Sequence, residues 1–113
     1  MHELSLMETV RDLALEQAAA HGAERITAVC LRIGALAGVE PEALRFAHQV
    51  VWAGTIAEGA ELRIEEVSGE CWCGVCREPF TVADGVCECP RCGAISRELR
   101  RGRELQLTSL ELA

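Results

Sequence analysis

The spacing of hydrophobic positions changes several times along the chain, and each change marks an element. From Ser5 to about His21 the spacing is helical: Leu6, Val10, Leu13 and Gln17 share one side, and Met7, Ala14 and Ala18 widen the apolar stripe. Ser5-Leu6-Met7-Glu8 has the form of a capping box, in which the Ser hydroxyl accepts an amide of the first turn and the Glu reaches back. His21-Gly22 suits a helix ending. This reading leaves Met1 to Leu4 ahead of the helix, tied to a rigid element yet free to chelate.

Residues 25–36, RITAVCLRIGAL, are β-branched and almost continuously apolar, which predicts a buried strand with Gly34 and Gly38 at its exit. Glu40-Pro41-Glu42 opens a second helix, with Pro where its missing amide costs least. Leu44, Ala47, His48 and Val51 form one face of it, Phe46 and Val50 lie alongside, and Gly54 closes it. Residues 61–67, ELRIEEV, predict a second strand. Residues 104–112, ELQLTSLEL, alternate over a length that predicts a third, with Leu105, Leu107, Ser109 and Glu111 on one face.

The expected fold is α+β, with two helices on a small three-stranded sheet and a cysteine-rich hairpin module inserted before the last strand. In domain terms, residues 1–68 with 104–113 form an α/β body, and residues 69–103 form the insert.

Six of the seven cysteines fall between Cys71 and Cys92. Cys73-x-x-Cys76 and Cys89-x-x-Cys92 have the spacing that aims two thiolates at one ion from a tight turn, and twelve residues between the pairs allow a hairpin. Four thiolates complete the tetrahedral shell of Zn(2+) and leave no open position, so the site reads as structural and not catalytic. Redox thiols or structural disulfides are the competing readings. Cys71 and Cys87 each stand two residues ahead of a pair, so Cys-x-Cys-x-x-Cys occurs twice. Either could displace a neighbour, pair with the other, or do neither. Cys30, on a predicted strand, reads as a small buried residue.

Composition narrows the classes. At 113 residues and 50% hydrophobic content, this is one compact domain, or one small domain with a module too short for its own core. No apolar run is long enough for a membrane helix, and the acidic N-terminus is unlike a signal peptide. A cytoplasmic protein with reduced thiols is expected. The net charge of -7 argues against sequence-independent binding to nucleic acid. All eleven basic residues are Arg. Arg97, Arg100, Arg101 and Arg103 cluster near the cysteines but lack interleaved aromatics, so a protein-docking or simply solvated surface competes with a nucleic-acid surface. No phosphate loop, nucleophile elbow or zincin helix occurs, and no enzyme is expected.

A second metal-competent place is Met1-His2-Glu3. A free α-amine, the His2 backbone nitrogen and the His2 imidazole Nδ1 can close two fused chelate rings on one ion. Anchoring at both ends lets the amide give up its proton, an arrangement suited to Ni(2+) and Cu(2+). Glu3 adds a carboxylate or a further amide. A residue as large as His2 at the second position should leave Met1 in place. The competing reading is a solvated terminal histidine. His21 and His48 are weaker candidates.

Met1-His2-Glu3-Leu4-Ser5, Leu31-Arg32-Ile33-Gly34 with Gly38-Val39, Pro41-Glu42-Ala43-Leu44-Arg45-Phe46, the two Cys pairs and the Leu-rich final strand together resemble the HypA/HybF family. The resemblance spans essentially the whole chain. It implies a nickel metallochaperone for [NiFe]-hydrogenase, and in some cases urease. Nickel would sit at Met1, His2 and Glu3, and structural zinc at Cys73, Cys76, Cys89 and Cys92. The implied partners are a HypB-type GTPase and the hydrogenase large subunit, with no nucleic acid and no membrane insertion. Cys71 and Cys87 depart from the family's usual pattern. The rival functions are a zinc-ribbon module for nucleic acid or a transcription complex, and a thiol-disulfide enzyme.

Overall fold

The computed structural model describes residues 2–82 and 85–113. Its elements are α1 (His2–Ala20), β1 (Ile26–Gly34), α2 (Pro41–Val51), β2 (Glu61–Val67), β3 (Gly69–Cys73), β4 (Glu78–Val82), β5 (Leu99–Arg101) and β6 (Leu105–Leu112). Among the described residues the strands form two sheets of three, ordered β2-β1-β6 and β4-β3-β5. The expected α+β class holds, with the three expected strands in one sheet. The second sheet arises from residues whose short, cysteine-broken pattern had suggested a hairpin and nothing longer.

Contacts divide the chain into two compact units. Unit 1 comprises residues 1–31, 39–65 and 106–113, and unit 2 comprises residues 32–38 and 66–105.

In unit 1, α1 begins at His2, three residues before the expected start, so His2 to Leu4 are helical and not a free tether. Ser5 does not cap; it lies inside the helix, and its carbonyl accepts the Thr9 hydroxyl at 3.2 Å. An exposed first turn can leave its amides to water, and Glu3 there suits the helix dipole, so no side-chain cap is required. The buried side is one part of the expected stripe. Met7, Val10, Ala14 and Ala18 are buried, while Leu13 is 47% exposed. Small residues on that stripe allow close approach, and α1 packs on α2.

The second helix starts as read, with Glu40 at its N-cap and Pro41 in its first turn. It buries Leu44 and Ala47, whereas Phe46 and Val50 face solvent. Trp52, at the C-cap, is almost fully buried, and its ring meets His48 edge-on at 4.2 Å between centroids. The final strand is antiparallel to β1, as shown by reciprocal backbone bonds between Arg25 and Ala113. Its half-buried leucines are Leu107, Leu110 and Leu112, so the strict alternation from Leu105 is not kept.

Unit 2 has a small core of Cys71, Cys73, Phe80, Val82 and Cys89, with Leu36, Cys76, Cys87, Ala94 and Leu99 packed against it. Three glycines let its backbone segments touch. A side chain at Gly34 would collide with the Gly102 carbonyl. One at Gly69 would come within 2.7 Å of the Val82 carbonyl oxygen, and one at Gly102 within 2.7 Å of the Gly69 Cα. Gly102 also has φ +125°, a conformation that side chains resist. The expected strand from 25 to 36 stops at Gly34, where the backbone turns off to bond Val67 and Gly102 through Ala35 and Leu36.

Gly34→Ala should therefore cost at least about 1–3 kcal/mol, because backbone rather than a flexible side chain must move; chemical denaturation would measure it. Burial lowers the pKa of His48 below its ordinary 6.5. The unfolded chain then takes up a proton that the folded chain resists, so this group's contribution weakens folding as pH falls below about 6.5. Thermal unfolding between pH 7 and 5 should show a decline that is shallower in His48→Gln.

Candidate metal centre

Two hairpin turns present the cysteines. The first joins β3 to β4: Cys73 and Glu78 are the last cross-strand pair, and Gly74 to Arg77 turn between them. The second lies between Glu88 and Ile95, which form an isolated antiparallel bridge. Each turn closes in the same way. The Arg77 N–H donates to the Cys73 carbonyl at 2.8 Å, and the Gly93 N–H donates to the Cys89 carbonyl at 2.8 Å. The residue after each pair takes positive φ, 55° at Arg77 and 76° at Gly93. Gly93 adopts it freely and Arg77 does not. The Cys76 amide donates to Cys73 Sγ at 3.3 Å.

These turns converge the sulfur atoms of Cys73, Cys76, Cys89 and Cys92 until all lie within 4.8 Å of one another. Cys73 and Cys92 approach to 3.5 Å, and Cys76 and Cys89 to 4.0 Å. A tetrahedral ion with thiolate bonds of about 2.3 Å needs sulfur–sulfur edges of about 3.8 Å. The cluster therefore fits a metal with little adjustment. Its charge pattern fits as well. The hydrogen bond from the Cys76 amide, with help from the neighbouring thiols, draws the Cys73 thiol down to about 7. The Cys92 side-chain hydrogen bond, together with burial, pushes Cys76 up to about 12. Four adjacent sulfurs cannot all ionise without a cation to balance them, and a bound metal takes the place of the protons.

Cys71 and Cys87 are joined in a disulfide, one of the roles their spacing left open. The expectation of uniformly reduced thiols fails for this pair, because the β3–β4 hairpin and the second turn bring the two sulfurs together. Cys30 is half-buried on β1 with a free thiol.

Ser96 was not singled out by any sequence signal. Its hydroxyl donates to the Trp72 carbonyl, and it also accepts the Glu98 N–H at 3.0 Å, fixing the chain after the second turn against β3. The arginine cluster is partly engaged. Arg100 pairs with Glu98 at 2.8 Å and lies 4.1 Å from the centroid of the Trp72 ring, and Arg101 pairs with Glu70 at 3.5 Å.

At the other candidate site, His2 is exposed in the first turn of α1. Glu3 Oε2 accepts the Glu40 N–H at 3.3 Å. Hydrogen bonds from its own amide and from that of Glu40 hold its carboxyl below the ordinary carboxylate range. Met1, the third expected nickel ligand, lies outside the described residues. His21 is held by the Gln17 carbonyl, 2.8 Å from its Nδ1.

Residues 1–112 match the family described as hydrogenase/urease nickel incorporation, metallochaperone, hypA. A hydrogenase maturation factor HypA of Acidithiobacillus ferrooxidans is 45% identical over 112 residues, covering 99% of each chain. One from a Picosynechococcus species is 43% identical, again over 99% of each. Among solved structures, a HypA protein in solution is similar with a TM-score of 0.72 at 25% identity, covering 100% of this chain and 97% of that one. The nickel metallochaperone HypA of Helicobacter pylori has the same fold, with a TM-score of 0.67 at 23% identity over 97% and 96% of the two chains. Among the described residues, no helix is long and apolar enough to cross a membrane.

In metal-free protein, ultraviolet thiolate absorbance should rise by about one equivalent as pH passes the Cys73 value near 7. Cys73→Ser should remove that step and bring the Cys76 ionisation down, because Cys73 is among the groups that hold it up.

Proposed function

Because the chain belongs to the hydrogenase/urease nickel-incorporation metallochaperone family, a family of carriers and not of catalysts, we propose that it carries Ni(2+) at its N-terminus for the maturation of [NiFe]-hydrogenase. Urease is a further candidate recipient. The ligands in this reading are the Met1 amine, the His2 amide and imidazole, and Glu3. Zn(2+) occupies the cage of Cys73, Cys76, Cys89 and Cys92 and holds unit 2 in shape. Handover takes place in the cytoplasm with a HypB-type GTPase and the hydrogenase large subunit. The observation that carries the reading is the family match across residues 1–112, which takes in both proposed sites.

The chemistry of the first turn supports a carrier. Amides at a helix start have no acceptor within the helix, so the nitrogen that must lose its proton is not already tied to one. Its chelate also draws His2 out of helical geometry, and that costs little where a helix begins. The positive end of the helix dipole disfavours a bare cation. A deprotonated amide offsets that mismatch while the ion is held, and reprotonation restores it, which favours release. The Glu40 amide competes with the ion for Glu3 Oε2.

The cage differs in kind. Four sulfurs around one tetrahedral ion leave no position for an incoming ligand, so it retains metal. Copper binds the N-terminal donors more tightly than nickel does, so discrimination rests on metal supply and partner docking.

Metal analysis of tag-free protein should find about one zinc that survives dialysis and one nickel that exchanges. His2→Ala should weaken nickel binding by more than about 100-fold and leave zinc unchanged. A chain extended at its N-terminus should behave like His2→Ala, and equal nickel binding by the extended and native chains would overturn the chelate. Zinc affinity should fall as pH is lowered, because thiols regain their protons, and Cys89→Ala should lose zinc while keeping nickel.

A further inference from the structure

The disulfide between Cys71 and Cys87 stands outside the four-sulfur cage but is bound up with its construction. Each half lies two residues ahead of the first cysteine of a turn. Cys71 is opposite Phe80 on one side and Leu99 on the other in the β4-β3-β5 sheet, and is wholly buried. Cys87 is half-buried, and its carbonyl accepts the Ser96 N–H at 2.7 Å. The bond thus fastens the strand that supplies Cys73 to the segment that supplies Cys89. A backbone bridge at Glu88 and Ile95 closes the second turn on itself, but it does not fasten that turn to β3.

Two consequences follow from elementary thiol chemistry. Exchange requires a thiolate to reach a sulfur; Cys71 is wholly buried and Cys87 half-buried, so attack comes from the Cys87 side and Cys71 is the leaving sulfur. Opening the bond also frees a loop that was closed across 16 positions, and an emptied cage then has more conformations in which its thiolates point apart.

We propose that Cys71–Cys87 is a thiol-exchange site, opened by a small thiol of the glutathione class at Cys87, and that its opening loosens the hold of the neighbouring cage on its metal. The attacking sulfur bonds to Cys87 Sγ, the Cys71–Cys87 bond breaks, and Cys71 leaves with the electron pair and gains a proton. A second thiol attacks the small-molecule sulfur of the mixed disulfide, releasing Cys87 as a thiol and the small molecule as its own disulfide. Two electrons and two protons pass to the protein, and the reverse exchange with that small disulfide restores the bond. The release half of this inference rests on the zinc reading of the cage; the exchange half does not.

The test uses the full chain with the disulfide intact. After brief exposure to glutathione, acid quenching, alkylation and peptide mass spectrometry should find glutathione on Cys87 and the alkyl label on Cys71. Glutathione on Cys71, or spread evenly over the two, overturns the exchange half. In parallel, zinc-loaded protein is mixed with a chromogenic chelator with and without a phosphine, which reduces the disulfide with water and becomes its oxide. Zinc should leave about tenfold faster after reduction. A Cys71→Ala, Cys87→Ala double variant should release it at the fast rate in both conditions, which removes any direct action of the phosphine. Equal rates for the native protein in both conditions overturn the release half, whether or not the double variant folds. A chain that takes up no zinc in either state overturns the cage reading and the release half with it, while the position of the mixed disulfide still judges exchange.

Discussion

The convergence of four sulfurs from two like-built turns is the constraint on which unit 2 depends. Its core is too small to hold a chain by apolar burial alone, since the cluster around the cysteines buries just Phe80 and Val82 besides them among the described residues. Sulfur chemistry supplies what bulk does not. Cys71, Cys73 and Cys89 are buried at the positions where a larger domain would place aliphatic side chains. The same atoms therefore fill space and define a coordination polyhedron. This is why the turns need positive φ after each pair: the chain must fold back within a few residues to keep the sulfurs on one side.

The two units set their candidate metal donors in opposite surroundings. The cage gathers its donors around one point, Cys73 and Cys89 buried and Cys92 exposed, and answers to geometry, whereas His2 stands in water at the first turn of a helix and answers to access. One arrangement is slow to let go and the other is easily approached. A carrier has use for both, provided the retained ion and the travelling ion do not compete for the same donors. In the proposed reading, sulfur donors for one ion and nitrogen donors for the other meet that condition.

Much of this was legible in the sequence because the signals were chemical or periodic. The Cys-x-x-Cys spacing dictates a turn whatever surrounds it, and Pro41 dictates the start of the second helix. The first helix was legible in kind but not in its beginning. Ser5 and Glu8 form a persuasive local cap, but an exposed helix end can do without one, and sequence does not reveal that choice. The buried stripe was legible in part: Leu13 looked like core and faces solvent, while Met7, Val10, Ala14 and Ala18 of the same reading are buried. The short strands of unit 2 were hidden because cysteines interrupt their alternation, and Ser96 was hidden because its partners are carbonyls, which carry no sequence signature. The pairing of Cys71 with Cys87 was available only as one of several options, since spacing sets what is possible and three-dimensional placement selects among the possibilities.

The meeting of Gly34, Gly69 and Gly102 has a consequence for how tolerance to substitution should be interpreted along this chain. These residues bear no donor atom and touch no ion, yet each has neighbours closer than any side chain permits. A survey of variants would rank them beside the cysteines for harm done. Severity alone would then mark as chemical three places whose whole contribution is an absence of atoms.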